Sequence, residues 1–189
     1  GMIKKSMDIT AKLDEKLPYV PFPECGSMSE GYIGFHLQNA IGNEFRARKM
    51  NDSVATLVTQ VQVDAADPSF QRPTKPIGNF MSKEDADKLA AAGVAVVEDA
   101  GRGYRQVVAS PAPVRIIEEE AVRKLIDQGV TVIAGGGGGV PVVEKDGVLT
   151  GIDAVIDKDF TSVKLAETID ADVVVILTAV EKVAIRFGA

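Results

Sequence analysis

One cysteine and one histidine are all that 189 residues provide, and each scarcity removes a class of chemistry. Cys25 alone can neither close an internal disulfide nor build a cysteine metal cluster. That suits a reducing, cytoplasmic setting, with Cys25 itself inert. His36 is the only candidate for Ser-His-Asp catalysis, and it sits beside core positions of a helical pattern, where it reads as packing. Basic residues are outnumbered too: 21 Lys and Arg face 27 Asp and Glu, for a net charge of −6. The chain therefore lacks the electrostatic footprint of a nucleic-acid binder, although net charge leaves a local pocket for a small anion open. No apolar run approaches the ~20 residues a membrane helix needs, and no signal peptide is visible. Neither nucleic acid nor membrane is expected as a partner.

What is present is ordinary for a globular protein: 46% apolar and 25% charged residues, which excludes wholesale disorder. The length suits one substantial domain or a domain with a lobe inserted in it. The pattern opens on a stretch with Ile3, Met7 and Leu13 at roughly helical spacing and no strand before it. Leu17 to Pro23 holds three prolines and reads as a loop. A helix is predicted from Ser27 or Ser29, with Ile33, Leu37, Ala40, Ile41 and Phe45 on its apolar face. Thr56 to Val63 reads as one strand.

Residues 64 to 113 read as a small α+β lobe inserted between two parts of a larger sheet. Within it, Ser82 caps a helix that stops at Gly93, and strands are expected at Val94 to Val97 and Gln106 to Val108. The core pattern resumes with a helix from Glu118 and a continuous apolar strand, Val130 to Ala134. Asp146-Gly147 signals a hairpin. A helix over Phe160 to Ile169 and a second apolar strand, Val173 to Leu177, follow. Helices alternating with fully apolar strands argue a mainly parallel sheet covered on both faces. The chain closes on a strand-like run, Val183 to Phe187, so both ends read as those of a fragment.

Chemistry concentrates in two places. Five consecutive glycines, Gly135 to Gly139, follow the buried strand. Glycine loses the most backbone freedom on folding, so such a run makes sense where bare N–H groups must approach a ligand closely, often a phosphate. It is no Walker loop, because no Gly-Lys-Ser/Thr follows. It is no dinucleotide fingerprint either, because no helical pattern opens directly after it. Downstream, Asp157-Lys158-Asp159 precedes a helix. Two carboxylates flanking an ammonium suit phosphoryl transfer, in which a lysine neutralises the transferring group and carboxylates orient it. The plainer reading makes Asp159 a helix cap and Lys158 a solvated side chain. Lys75, held between Pro73 and Pro76, is either aimed at a ligand or an exposed loop lysine. Arg102 and Arg105 read as structural.

The segments Ala134-Gly135-Gly136-Gly137-Gly138-Gly139-Val140-Pro141-Val142, Ala154-Val155-Ile156-Asp157-Lys158-Asp159-Phe160 and Lys164-Leu165-Ala166 resemble carbamate kinases of the amino acid kinase superfamily. So do Pro73-Thr74-Lys75-Pro76-Ile77-Gly78, Glu98 through Arg105, and Ile176-Leu177-Thr178-Ala179-Val180. The resemblance runs through the chain in order and implies a three-layer α/β/α sandwich with a protruding lobe, in a homodimer. It implies the reversible reaction of ATP and carbamate to ADP and carbamoyl phosphate with Mg2+, run toward ATP in arginine breakdown. Carried onto this chain, Lys158 contacts the nucleotide phosphates and the transferring group, and Lys75 reaches into the cleft from the lobe. Asp157 and Asp159 orient Lys158 and the metal shell, without ligating the metal directly. Gly135, Gly136, Gly137 and Gly138 let the phosphoryl group lie against the backbone. Thr178, Ala179, Val180 and Val183 border the adenine. The family also has an opening strand with a Gly-Gly-Asn loop, a second Asn-Gly-Pro loop and, beyond Ala189, another phosphate-binding lysine. Against that pattern the chain reads as the middle of the enzyme. A truncated, non-catalytic paralogue that binds nucleotide or dimerises, and a related kinase with another acceptor such as acetylglutamate, are the alternative readings.

Overall fold

The computed structural model describes residues 2–14 and 16–178. In chain order the elements are α1 (Met2–Leu13), α2 (Phe22–Ala47), β1 (Ser53–Thr56), β2 (Gln60–Val63), β3 (Lys75–Met81), α3 (Lys83–Ala91), β4 (Val96–Glu98), β5 (Tyr104–Val108), β6 (Pro113–Ile116), α4 (Glu119–Asp127), β7 (Val130–Ile133), β8 (Val140–Lys145), β9 (Val148–Gly151) and α5 (Lys158–Ile169). No helix among the described residues is long and apolar enough to cross a membrane.

The architecture is an α/β/α sandwich with parallel pairings at its centre. Strand β1 pairs parallel with β7, from Ser53 opposite Val130 to Thr56 opposite Ile133. Strand β2 pairs parallel with β8, and the antiparallel strands β6 and β9 complete the order β6-β2-β8-β9. Helix α2 packs on β1, β7 and β8, while α4 packs on β7 and α5 on β6. The core cluster is Val61, Val63, Ile116 and Ile156, with Phe70, Val143, Ile152 and Leu165 packed around it. Strands β3, β5 and β4 form a separate antiparallel sheet, against which α3 packs. Ser82 caps α3 by accepting from the Asp85 N–H. Asp146 and Gly147, both at positive φ, turn β8 into β9, which is the local twist a two-residue hairpin requires.

Several expectations need correction. The run Thr56 to Val63 is two strands, because the chain kinks at Leu57 to Thr59. There the Thr59 hydroxyl donates to the Leu57 carbonyl at 3.0 Å, a local bond that competes with the ladder. The glycine run interrupts β7 and β8 at the same level, so kink and glycines lie side by side, joined by Val140 N–H to Thr59 O at 2.8 Å. Helix α2 begins at Phe22, inside the proline-rich stretch, with Pro21 at the cap and Pro23 in the first turn. Proline is tolerated there because first-turn N–H groups have no intrahelical acceptor. Finally, Val173 to Leu177 forms no strand: Val173, Val175 and Leu177 are exposed, and no described strand pairs with them. An apolar run becomes a buried strand only with neighbours to satisfy its backbone.

The buried stripe of α2 is also not the apolar one. Ile33 and Leu37 are exposed, as are Tyr32 and Phe35, and His36 is an exposed ring edge-on to both aromatics rather than a packed one. What faces inward is Cys25, Glu30 and Gly34. At Gly34 a β-carbon would strike the Thr56 side chain. The helix lies close on β1 through its smallest residues.

Candidate active site

The glycine loop is a 3₁₀ turn, Gly136–Gly138, entered through Gly135 in the left-handed region. Its anchors are two threonines. The Gly135 N–H donates to Thr59 Oγ1 at 2.8 Å, and Thr161 Oγ1 donates to the Gly138 carbonyl at 2.7 Å in a buried bond. Glycine is required at Gly138 for two reasons: φ is 110°, and a β-carbon would collide with the Ile156 carbonyl oxygen. The turn closes on itself through Gly138 N–H to Gly135 O at 3.0 Å and Gly139 N–H to Gly136 O at 3.2 Å. The outer face of Gly136 and Gly137 borders a cleft of about 490 Å³ whose opposite wall comes from α1 and α2.

The start of α5 abuts this loop. A β-carbon on Gly138 would lie 3.5 Å from the Lys158 backbone nitrogen. Asp157, not Asp159, is the cap: its carboxylate accepts from the Asp159 N–H at 3.0 Å. Its other oxygen accepts from Lys75 Nζ, which comes from the first residue of β3 in the second sheet. Both partners are about one-third exposed, at 31% and 30%. The Lys75 hydrogen bond, helped by the Asp159 N–H, holds the Asp157 carboxyl below the usual carboxylate range. Lys158 points away to solvent, with its ammonium 3.0 Å from Asp159 Oδ1, and that contact raises its pKa. The two aspartates therefore hold different lysines.

Of the remaining candidates, Thr178 is exposed and outside regular structure. Ala179, Val180 and Val183 lie outside the described residues. Cys25 is buried, and its thiol faces the Val20 carbonyl at 3.7 Å. Arg105 and Arg102 both pair with Asp99 and lie over the Phe80 ring, which organises the small sheet.

Sequence reasoning missed Thr59, Thr161 and Glu30. Glu30 is 3% exposed. Its Oε2 accepts from the Thr59 N–H at 2.9 Å, while Oε1 is buried without a partner. Burial pushes its carboxyl up to about 7, against the pull of the Thr59 N–H and with a further push from Glu118. A signal existed: Gly26, Glu30 and Gly34 recur at four-residue steps. A carboxylate between two glycines on one helix face marks a close approach rather than a solvated side.

Residues 43–187 match the amino acid kinase family model. The chain is 55% identical over 188 residues to the carbamate kinase-like protein YqeA of Escherichia coli K12, and 53% identical over 189 residues to a carbamate kinase of Clostridium perfringens. Both alignments take in 100% of this chain but 61% and 60% of those relatives, so it spans about 60% of their length. A structure of carbamate kinase from Giardia lamblia bound to citric acid superimposes with a TM-score of 0.83 at 42% identity, over 91% of this chain and 55% of that one. The same enzyme bound to AMP-PNP gives 0.78 at 41%, over 91% and 54%. With more than half its length matched by the family model and its sheet, helices and glycine loop arranged as described, the chain belongs to the amino acid kinase family.

Proposed function

We propose that this chain carries the central part of a carbamate kinase site. The reaction is reversible phosphoryl transfer, ATP and carbamate to ADP and carbamoyl phosphate, run toward ATP in arginine breakdown in the cytoplasm. The observation that carries the proposal is convergence. A glycine loop, the N-terminus of α5 and Lys75 from a separate sheet meet around Asp157, and relatives named carbamate kinase align with the whole chain.

No protein nucleophile is required. A carbamate oxygen attacks the γ-phosphorus, the bond to the bridging oxygen of ADP breaks, and catalysis is positioning plus charge neutralisation. The N–H groups of Gly135, Gly138 and Gly139 are engaged internally, so an incoming phosphoryl oxygen would meet those of Gly136 and Gly137. The α5 N-terminus adds partial positive charge. Lys158, on its solvent-facing stem, swings to the nucleotide phosphates, and Lys75 closes from above. The resemblance assigns Thr178, Ala179, Val180 and Val183 to the adenine. Mg2+, bound with ATP or ADP, would supply further charge neutralisation. Both Asp157 oxygens are engaged, so Asp157 would orient the metal's water shell rather than ligate the ion directly. A homodimer belongs to this reading, and sedimentation of the protein that carries this chain would test it.

Coupled formation of ATP from ADP and carbamoyl phosphate by the protein that carries this chain tests the proposal. Turnover specific for carbamoyl phosphate over acetylglutamate is expected. A folded protein that binds ADP without turnover would overturn it.

A further inference from the structure

Glu30 is the one buried carboxyl beneath the glycine loop among the described residues, and the proposed reaction gives it no task. Two contacts tie it to the loop. A β-carbon placed on Gly136 would lie 3.3 Å from Glu30 Cγ, so the Glu30 stem is the floor under Gly136. Through its backbone N–H, Thr59 is held by Glu30 Oε2, and through its hydroxyl it accepts from the Gly135 N–H. Any change at the Glu30 carboxyl therefore reaches the loop by packing and by one intermediate residue.

We propose that Glu30 is a positioning residue whose protonation sets the anion affinity of the glycine loop. The neutral acid supports a bound phosphoryl group and the carboxylate opposes it. This rests on reading Gly136 and Gly137 as the anion-binding pair.

The groups around Glu30 fit that role. One oxygen is bonded and the other is buried and bare. Burying a neutral hydroxyl in that state costs far less than burying an unpaired charge. Among the described residues no cation pairs with it. The elements that pack most extensively on α2 are β1, β7, β8, α1 and the glycine turn. Strands β1 and β7 and the turn contain no ionisable side chain, and Glu144 and Lys145 lie at the far end of β8. On α1, Lys4 is paired with Asp8, and Lys5 and Lys12 are exposed. The charged group that acts on Glu30 is Glu118, fixed by Gln60 N–H at 2.6 Å and Gln60 Nε2 at 2.9 Å, and its charge favours the protonated form further. Ionising Glu30 places a negative charge a few ångströms below an anion site in a poorly solvated setting, where charges act strongly.

The test is amide NMR of Gly136 and Gly137 in the full chain, titrated with sulfate as a non-titrating dianion at about pH 5.5 and about pH 8.5, on either side of the Glu30 midpoint. In the wild type, sulfate affinity should fall about tenfold or more across that interval. Glu30→Gln keeps an acceptor for the Thr59 N–H and cannot ionise, so its affinity should stay at the low-pH level throughout. Equal pH dependence in both proteins overturns the proposal while leaving the loop an anion site. No sulfate response at Gly136 or Gly137 in either protein removes the anion site and the proposal together. A carbon-13 titration of the Glu30 carboxyl in the wild type stands apart from the variant's folding. A midpoint in the ordinary glutamate range overturns the proposal by itself.

Discussion

Lys75 and Asp157 stand 82 residues apart in sequence and form an ion pair between the first residue of β3 and the cap of α5. The pair is the described side-chain link between the small sheet and the glycine-loop region. Asp157 has two tasks, and they separate by substitution. Asn caps helices as well as Asp does, so Asp157→Asn should keep α5 and lose only the charge. A partly exposed pair is worth about 0–1 kcal/mol, so neutral-pH stability should change within that range. Asp157→Ala should cost about 1 kcal/mol more through the lost cap. The lowered pKa of Asp157 means its ionised form stabilises the fold above the ordinary carboxylate range, and that contribution disappears as pH falls through the folded value. Denaturant melts of wild type and Asp157→Asn should therefore converge in acid. A gap that widens in acid would show that the pair is not formed in solution.

Lys158 is almost free of structural duty: its side chain is 70% exposed and its contact is with the adjacent Asp159. Lys158→Ala should leave the melting curve unchanged, while ATP formation from carbamoyl phosphate falls by about 10²–10³, the usual loss for one element of an electrostatic site. Near-normal turnover would remove Lys158 from the reaction.

Two glycines in the same turn should respond differently to alanine. At Gly137 φ is 68° and the space beyond is open, so Gly137→Ala should cost only the left-handed strain, about 1–2 kcal/mol. At Gly138 φ is 110°, beyond the left-handed region that an L residue can reach, and that strain is joined by collision with the Ile156 carbonyl and pressure on the Thr161 bond. Gly138→Ala should therefore be the more destabilising by about 1–3 kcal/mol. Urea denaturation of the two variants checks this, and equal losses would show that the loop backs away from Ile156 freely.

Local signals in the sequence were read well where the physics is local. Ser82 as a cap, Asp146-Gly147 as a hairpin and Val130 onward as a strand need only a few neighbouring residues to decide them, although that strand is half-buried, with Thr131 exposed, rather than covered on both faces. Readings failed where a distant partner decides. Val173 to Leu177 has the composition of a strand, but no described strand pairs with it. Ile33 and Leu37 have the spacing of a core face, yet the close fit of Gly34 on Thr56 turned the helix by its smallest side. The candidate site divides in the same way. Gly135 to Gly138 and Asp157 to Asp159 announce themselves by composition. Lys75 stayed ambiguous until its partner was located, and Thr59 and Thr161 are ordinary threonines until the loop they anchor is placed against them.

Glu30 gives the sharpest pH prediction. Its carboxyl ionises near 4.5 in an ordinary setting and at about 7 in the fold. Below about 4.5 it is neutral in both folded and unfolded chains, and pH has no leverage. Between the two values the folded chain keeps a proton that the unfolded chain has released, so stability falls as pH rises through the window. Above 7 the full penalty stands, on the order of 3 kcal/mol. Glu30→Gln removes the titration. Its unfolding free energy, measured by urea at a series of pH values, should lack this decline, with variant and wild type closest near pH 4.5 and the variant relatively more stable above 7. Parallel curves across the whole range would show that Glu30 ionises normally and that water or a moving side chain meets its bare oxygen.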